Sequence, residues 1–282
     1  MGLGLGRLRL APALLIAAVL ARPSSAGVEV GSETGLASQY IWRGLTVVNR
    51  PVLQPSLWAS GSLGDFTATL SLWSSLEIGR YDGSSDLSES NGSHAFDLTE
   101  SDPSFELAYS LGDSEAEVAA GISGYLYPNA SGLTMDDSAA EVYGRVTLPP
   151  VPVLGVVSTF SAYQDVTAID GTYLEAGLSR TFAIRDRLDL VASAAAGWNH
   201  GQSVRYDASG AVKEPGNFAH DGFTHWELGA ALPVGLGSFT LEPSAHVIFG
   251  RDEYAKIWSA TENRDVKYWF GITLSTTRTL VD

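Results

Sequence analysis

Apolar and polar residues alternate one by one along several stretches of this chain. In 66–76, Phe66, Ala68, Leu70, Leu72 and Leu76 share one face, and Thr67, Thr69, Ser71 and Ser75 share the other. Trp73 and Ser74 are the exceptions. A period of two predicts a β-strand with one apolar and one polar face. The pattern returns in 104–111, where Phe105, Leu107, Tyr109 and Leu111 oppose Ser104, Glu106, Ala108 and Ser110. In 173–182, Leu174, Ala176, Leu178 and Phe182 oppose Glu175, Gly177 and Ser179. In 266–274, Val266, Tyr268, Phe270, Ile272 and Leu274 oppose Lys267, Gly271 and Thr273. Weaker runs at 28–43, 52–62, 115–127, 140–147, 154–163, 188–198, 223–232 and 239–249 bring the predicted total to 12 strands.

The connections between these runs alternate in length. Short ones fall at 63–65, 112–114, 148–153, 185–187 and 233–237. Long ones fall at 78–103, 128–138, 199–222 and 251–265, with briefer members at 44–50 and 164–171. If every strand crosses one slab, all short turns lie on one side and all long loops on the other. An even strand count returns both ends of the chain to the short-turn side. Hydrocarbon leaves no partner for a free backbone N–H, so a sheet crossing it must close on itself. The prediction is therefore an all-β fold: a 12-stranded antiparallel transmembrane β-barrel with short periplasmic turns and long extracellular loops. A polar face on nearly every strand argues against a soluble secreted ligand-binding sandwich, whose inner faces would be apolar. Pro55 and Pro243 fall inside predicted strands and predict bulges or misplaced strand ends. Trp42, Trp73, Tyr125, Tyr127, Tyr163, Trp198, Phe223, Phe249 and Trp258 lie near long-loop ends, where an interfacial aromatic girdle is expected.

The N-terminal 26 residues have the form of an export signal: Arg7 and Arg9, an apolar stretch over 11–20, then Ser24-Ser25-Ala26. The predicted barrel spans 27–282. The whole chain carries −15. Removing a leader that holds Arg7, Arg9, Arg22 and no acid makes the remainder three charges more negative. Such a balance excludes nucleic acid as a partner, because phosphate binding needs clustered Lys and Arg. There is no cysteine, so neither disulfides nor thiolate metal sites enter.

The residues Ser38-Gln39-Tyr40-Ile41-Trp42-Arg43-Gly44, then Pro51, then Leu57-Trp58-Ala59-Ser60, resemble the opening of the TorF-type outer-membrane porin family. That family carries a Ser-x-Tyr-aromatic-Arg-Gly run before a Pro-led second strand. Here Ile41 stands between Tyr40 and the aromatic Trp42. The match covers 36–77 and rests elsewhere on length and strand rhythm. The resemblance implies an outer-membrane barrel.

Alternation assigns Glu106, Glu117, Glu141, Arg145, Glu175, Glu227, Glu242, His246 and Lys267 to the barrel interior, with Arg43 at the outer mouth. Carboxylates outnumber cations on this face. An acidic lining in a wet lumen favours cations. The predicted function is a porin-like channel for passive diffusion of small polar solutes or ions, weakly cation-preferring. The alternatives are a soluble secreted all-β ligand-binding protein, and a barrel filled by its own side chains with a structural role in the envelope. Glu141 and Arg145, four apart on one face of one strand, are candidates for such a fill. Expected partners are outer-membrane lipid and lipopolysaccharide, a small polar solute or cation, and the barrel-assembly machinery that inserts it.

No enzyme activity and no cofactor are predicted. Ser244, His246 and Glu242 share a face, but side chains two apart on a strand run parallel and do not aim at each other. No Gly-x-Ser-x-Gly elbow occurs. His94, His200, His220 and His225 lack metal-ligand spacing. The acids of the 78–103 loop (Asp82, Asp86, Glu89, Asp97, Glu100, Asp102, against Arg80) also lack regular spacing, so that loop reads as solvated. Pro149 to Pro152 reads as a stiff turn.

Overall fold

Seventeen strand segments carry the alternating pattern into three dimensions. They are β1 Val28–Ala37, β2 Tyr40–Trp42, β3 Leu45–Val48, β4 Val52–Leu63, β5 Phe66–Glu77, β6 Leu98–Ser110, β7 Glu117–Tyr125, β8 Ala139–Leu148 and β9 Val157–Asp165. There follow β10 Thr172–Arg185, β11 Leu188–His200, β12 Arg205–Tyr206, β13 Val212–Lys213, β14 Gly222–Ala231, β15 Val234–Leu236, β16 Phe239–Gly250 and β17 Val266–Leu280. The computed structural model describes residues 27–81, 94–112, 115–129, 138–167, 169–186, 188–203, 205–206, 212–213, 216–218, 220–250 and 265–280. The proposed export segment 1–26, the acids Asp82, Asp86 and Glu89, and Trp258 lie outside the described residues.

One antiparallel sheet runs β1-β4-β5-β6-β7-β8-β9-β10-β11-β14-β16-β17 and closes where β17 pairs with β1, from Val28↔Leu280 to Ala37↔Gly271. β14 and β15 are one barrel strand interrupted at Leu232-Pro233, which gives 12 strands around the ring. Closure leaves no edge and pairs the backbone within the wall, as hydrocarbon demands. It also rules out the soluble sandwich, which needs two facing sheets. The strand ends joined by short connections gather at one rim, and those leading into the long ones at the other.

Facing positions show the two-sidedness directly. On β17, Tyr268 is 62% and Phe270 60% exposed, while Lys267 between the ladders is only 6%. Leu57, Leu72, Ile122, Phe160, Leu174, Leu178, Trp226 and Leu228 are also exposed on the outside. An apolar belt of this extent is too large for a wet surface and belongs against lipid.

The prolines correct an expectation. Pro55 and Pro243 stand neither at bulges nor at strand ends. Pro55 pairs with Thr34 on β1, while the ladder toward β5 skips from Leu53↔Leu76 to Ser56↔Trp73. Pro243 pairs with Ile272 on β17, and opposite it the other neighbour is interrupted at Leu232-Pro233. A third, Pro103, lies inside β6. It pairs with Leu72, and the ladder toward β7 resumes only at Ser104↔Ser123. In each case the missing N–H coincides with a gap in the ladder on one side, so register is kept.

Candidate functional site

The first connection on the long-loop side does not stay outside. β1 leaves the wall at Ser38, whose N–H donates to the Phe270 carbonyl (2.8 Å) and whose Oγ accepts from the Phe270 N–H (3.0 Å). The chain then forms a two-stranded hairpin, β2–β3, separate from the barrel sheet. Its turn is Arg43-Gly44, with φ of +51° and +82°. Two consecutive positive φ values define the type I′ turn that suits a tight hairpin, and glycine relieves the second position. A Cβ at Gly44 would also meet Cγ of His225 at 2.7 Å.

The hairpin fills the outer part of the lumen. Tyr40, Leu45, Val47 and Val48 are buried. Tyr40, Val47 and Val48 pack with Ala37, Val52 and Tyr81, and against the inward-facing Trp73 and Trp269. Leu45 joins Tyr173 and Phe218. Sequence reading placed 28–43 in one strand and missed this element. It also placed Trp42, Trp73, Tyr125 and Tyr163 in a membrane girdle, whereas these rings face inward and pack around the hairpin. Trp198, Phe223 and Phe249 do point outward, in register with the lipid-facing set.

Arg43, at the hairpin tip, is the best-held side chain of the lumen. Its Nη1 and Nη2 donate to the two oxygens of Glu141 at 2.7 and 2.6 Å. The Tyr125 hydroxyl donates to Glu141 Oε2 at 2.7 Å. The guanidinium lies 4.3, 4.7 and 4.3 Å from the ring centroids of Trp42, Tyr163 and Tyr173. Side-chain exposure is 6% for Arg43 and 2% for Glu141. Such a pair combines a forked charge-assisted hydrogen bond with cation–π contact. Lys267 supplies a second latch by donating from Nζ to the Gly44 carbonyl. Tyr173 reaches its place because Gly197 lies beneath it: a Cβ there would meet the Tyr173 hydroxyl at 2.1 Å.

Below the hairpin the wall is polar. Glu106, Glu117, Glu175, Glu227, Glu242, Arg145 and His246 all fall on inward register positions. Arg145 donates to Glu106 (2.7 Å) and lies 3.2 Å from Glu117. It does not pair with Glu141 on its own strand, because four residues of strand separate them by about 13 Å and Glu141 is held by Arg43. Tyr143 donates to Glu106 Oε2 at 3.0 Å. His246 contacts Glu227 at 2.8 Å and stacks on Trp269 at 3.8 Å. This imidazole is therefore turned toward Glu227, and no hydrogen bond joins it to Ser244 among the described residues. Two further acids, Glu29 and Glu33, face inward opposite Thr279 and Ser275. Sequence reading missed them because β1 alternates weakly. Glu33 and Glu242 face the lumen from β1 and β16, two strands apart around the ring, as Glu175 and Glu227 do from β10 and β14. Glu100 and Asp102, assigned to a solvated loop, instead lie on β6 and share its inward register positions. Among the described residues no group of acids and histidines has the arrangement of a metal site.

No protein-family model and no curated protein matches the chain in sequence. Solved structures do match in fold. An outer-membrane channel from Pseudomonas putida F1 aligns with TM-score 0.50 at 10% identity, over 92% of this chain and 97% of that one. The NanC porin aligns with TM-score 0.47 at 8% identity, over 89% and 99%. Outer-membrane phospholipase A from Escherichia coli aligns with TM-score 0.40 at 12% identity, over 93% and 96%. The fold is that of bacterial outer-membrane barrels, and a fold does not fix function, so function rests on this chain's own lumen.

Proposed function

We propose that this protein is an outer-membrane channel for passive diffusion of small polar solutes and ions, with a weak preference for cations. The observation that carries the reading is the hairpin tip latched inside the mouth above an acidic lumen. Arg43, Arg145 and Lys267 are each engaged by a protein acceptor. Carboxylates offset the charge of Arg43 and Arg145, while Glu29, Glu33, Glu175 and Glu242 supply negative potential to the remaining space. The belt of leucine and phenylalanine meets lipid, the long loops face lipopolysaccharide, and the barrel-assembly machinery inserts the chain.

In planar bilayers, folded protein is expected to give small unitary steps. The reversal potential in a salt gradient should favour cations. Absence of steps from protein that still shows heat-modifiable migration, or a preference for anions, overturns the reading. The apolar packing of the hairpin supports a second reading, a closed barrel with an envelope role. It predicts no steps from the intact chain and steps only after the hairpin is removed.

A further inference from the structure

The surroundings of Arg43 divide into two sets by origin. Trp42 and Arg43 belong to the hairpin. Tyr125, Glu141, Tyr163 and Tyr173 belong to four successive wall strands, β7 to β10. The wall alone therefore contributes a carboxylate oriented by a tyrosine hydroxyl and flanked by two tyrosine faces. A carboxylate with aromatic faces at 4 to 5 Å is the chemistry that recognises a flat, weakly hydrated cation. Phe218 adds a further apolar surface, stacked 6.2 Å from Tyr173 at 6°. The hairpin's own guanidinium fills this place as a tethered ligand.

We infer that Tyr125, Glu141, Tyr163 and Tyr173 form a guanidinium-binding site, occupied in cis by Arg43 and open to a guanidinium-bearing solute when the hairpin withdraws. The inference rests on the channel reading for its role in transport, but the site itself stands on wall geometry alone. It names a solute class, guanidinium compounds, within the broader set of small cations. It also gives the hairpin a function, since a solute that competes for Glu141 weakens the latch that holds the hairpin in the lumen. Guanidinium is favoured over ammonium because the two Arg43 nitrogens reach both carboxylate oxygens at once, which a point charge cannot do.

The test uses full-length protein in detergent with ethylguanidinium as probe and calorimetric titration as readout. Arg43→Ala empties the site and is expected to bind ethylguanidinium saturably, whereas the intact chain shows no saturable binding in the same range. Adding Glu141→Gln to Arg43→Ala should weaken binding about tenfold or more, as loss of a charge-assisted pair requires. Tetramethylammonium should bind Arg43→Ala more weakly than ethylguanidinium. If Arg43→Ala fails to fold, a chain with 40–48 replaced by a short Gly-Ser link keeps all four wall residues and carries the same expectations. No saturable binding to either folded variant, or binding unchanged by Glu141→Gln, overturns the site. Because titration does not depend on conductance, a silent channel with a working site defeats the transport reading and leaves the site standing.

Discussion

Replacing residues 40–48 by a short Gly-Ser link is expected to raise unitary conductance severalfold without loss of the barrel. The hairpin contributes no strand to the closed ring, so its removal breaks no barrel ladder. What is lost is apolar packing by Tyr40, Leu45, Val47 and Val48, worth roughly 1.5–3 kcal/mol for each large aliphatic side chain. The wall keeps its hydrogen bonds and its lipid belt. Glu141→Ala is the single-residue counterpart. It leaves Arg43 charged, buried and unpaired, a state costing about 3–5 kcal/mol, so the hairpin should swing out more often. Its conductance trace should flicker between the small and the enlarged level. Equal conductance for the intact and hairpin-less chains would show that the narrowing lies elsewhere.

The second large effect concerns two adjacent residues on β17. Ile272→Arg is expected to cost about 2–4 kcal/mol of folding stability in a bilayer, whereas Thr273→Arg should cost little. Ile272 points outward and is 41% exposed, in a row with Phe270 and Leu274. Thr273 pairs with Gly35 on β1 and Glu242 on β16, on the side of the lumen. Arginine there finds water and a carboxylate. Urea-dependent refolding into vesicles measures both variants, and the heat-modifiable gel shift reports their folded fraction. Equal destabilisation by the two would remove the assignment of faces. In the conducting protein, Thr273→Arg should also lower cation preference by placing positive charge beside Glu242.

Alternation placed 66–76 within one residue of β5, and the weaker run 188–198 fell within two residues of β11. Period two is a local signal, and local signals survive without a partner. The start of β6 was not legible, because Glu100, Asp102 and Pro103 read as loop chemistry, yet inside a lumen-facing strand such residues are tolerated. The polar end of β17, Ser275 to Leu280, was truncated for the same reason. The inward hairpin was the main loss. Its signal was present in Arg43-Gly44, a two-residue turn with glycine second, set between Tyr40-Ile41-Trp42 and Leu45 to Val48. Tyr40-Ile41-Trp42 follows β1 after only Ser38-Gln39 and consists of strand-forming residues, so it looks like more of the same wall strand. The aromatic girdle failed at Trp42, Trp73, Tyr125 and Tyr163 on a related point, since sequence places a ring near a strand end but not inside or outside it. Pairings such as Arg145 with Glu106 depend on the stagger between β6, β7 and β8, which no single strand encodes.

The chain contains no cysteine, so single cysteines can be placed on β17 against an empty background. Thiolates form in water and not in hydrocarbon. With each variant folded into vesicles, a small charged thiosulfonate reagent should modify cysteine at 273 and 275 quickly and leave 272 and 274 unmodified. Alternation of that kind establishes a water-filled interior behind a lipid-facing wall. Comparable labelling at all four positions, or labelling at 272 and 274 alone, contradicts it.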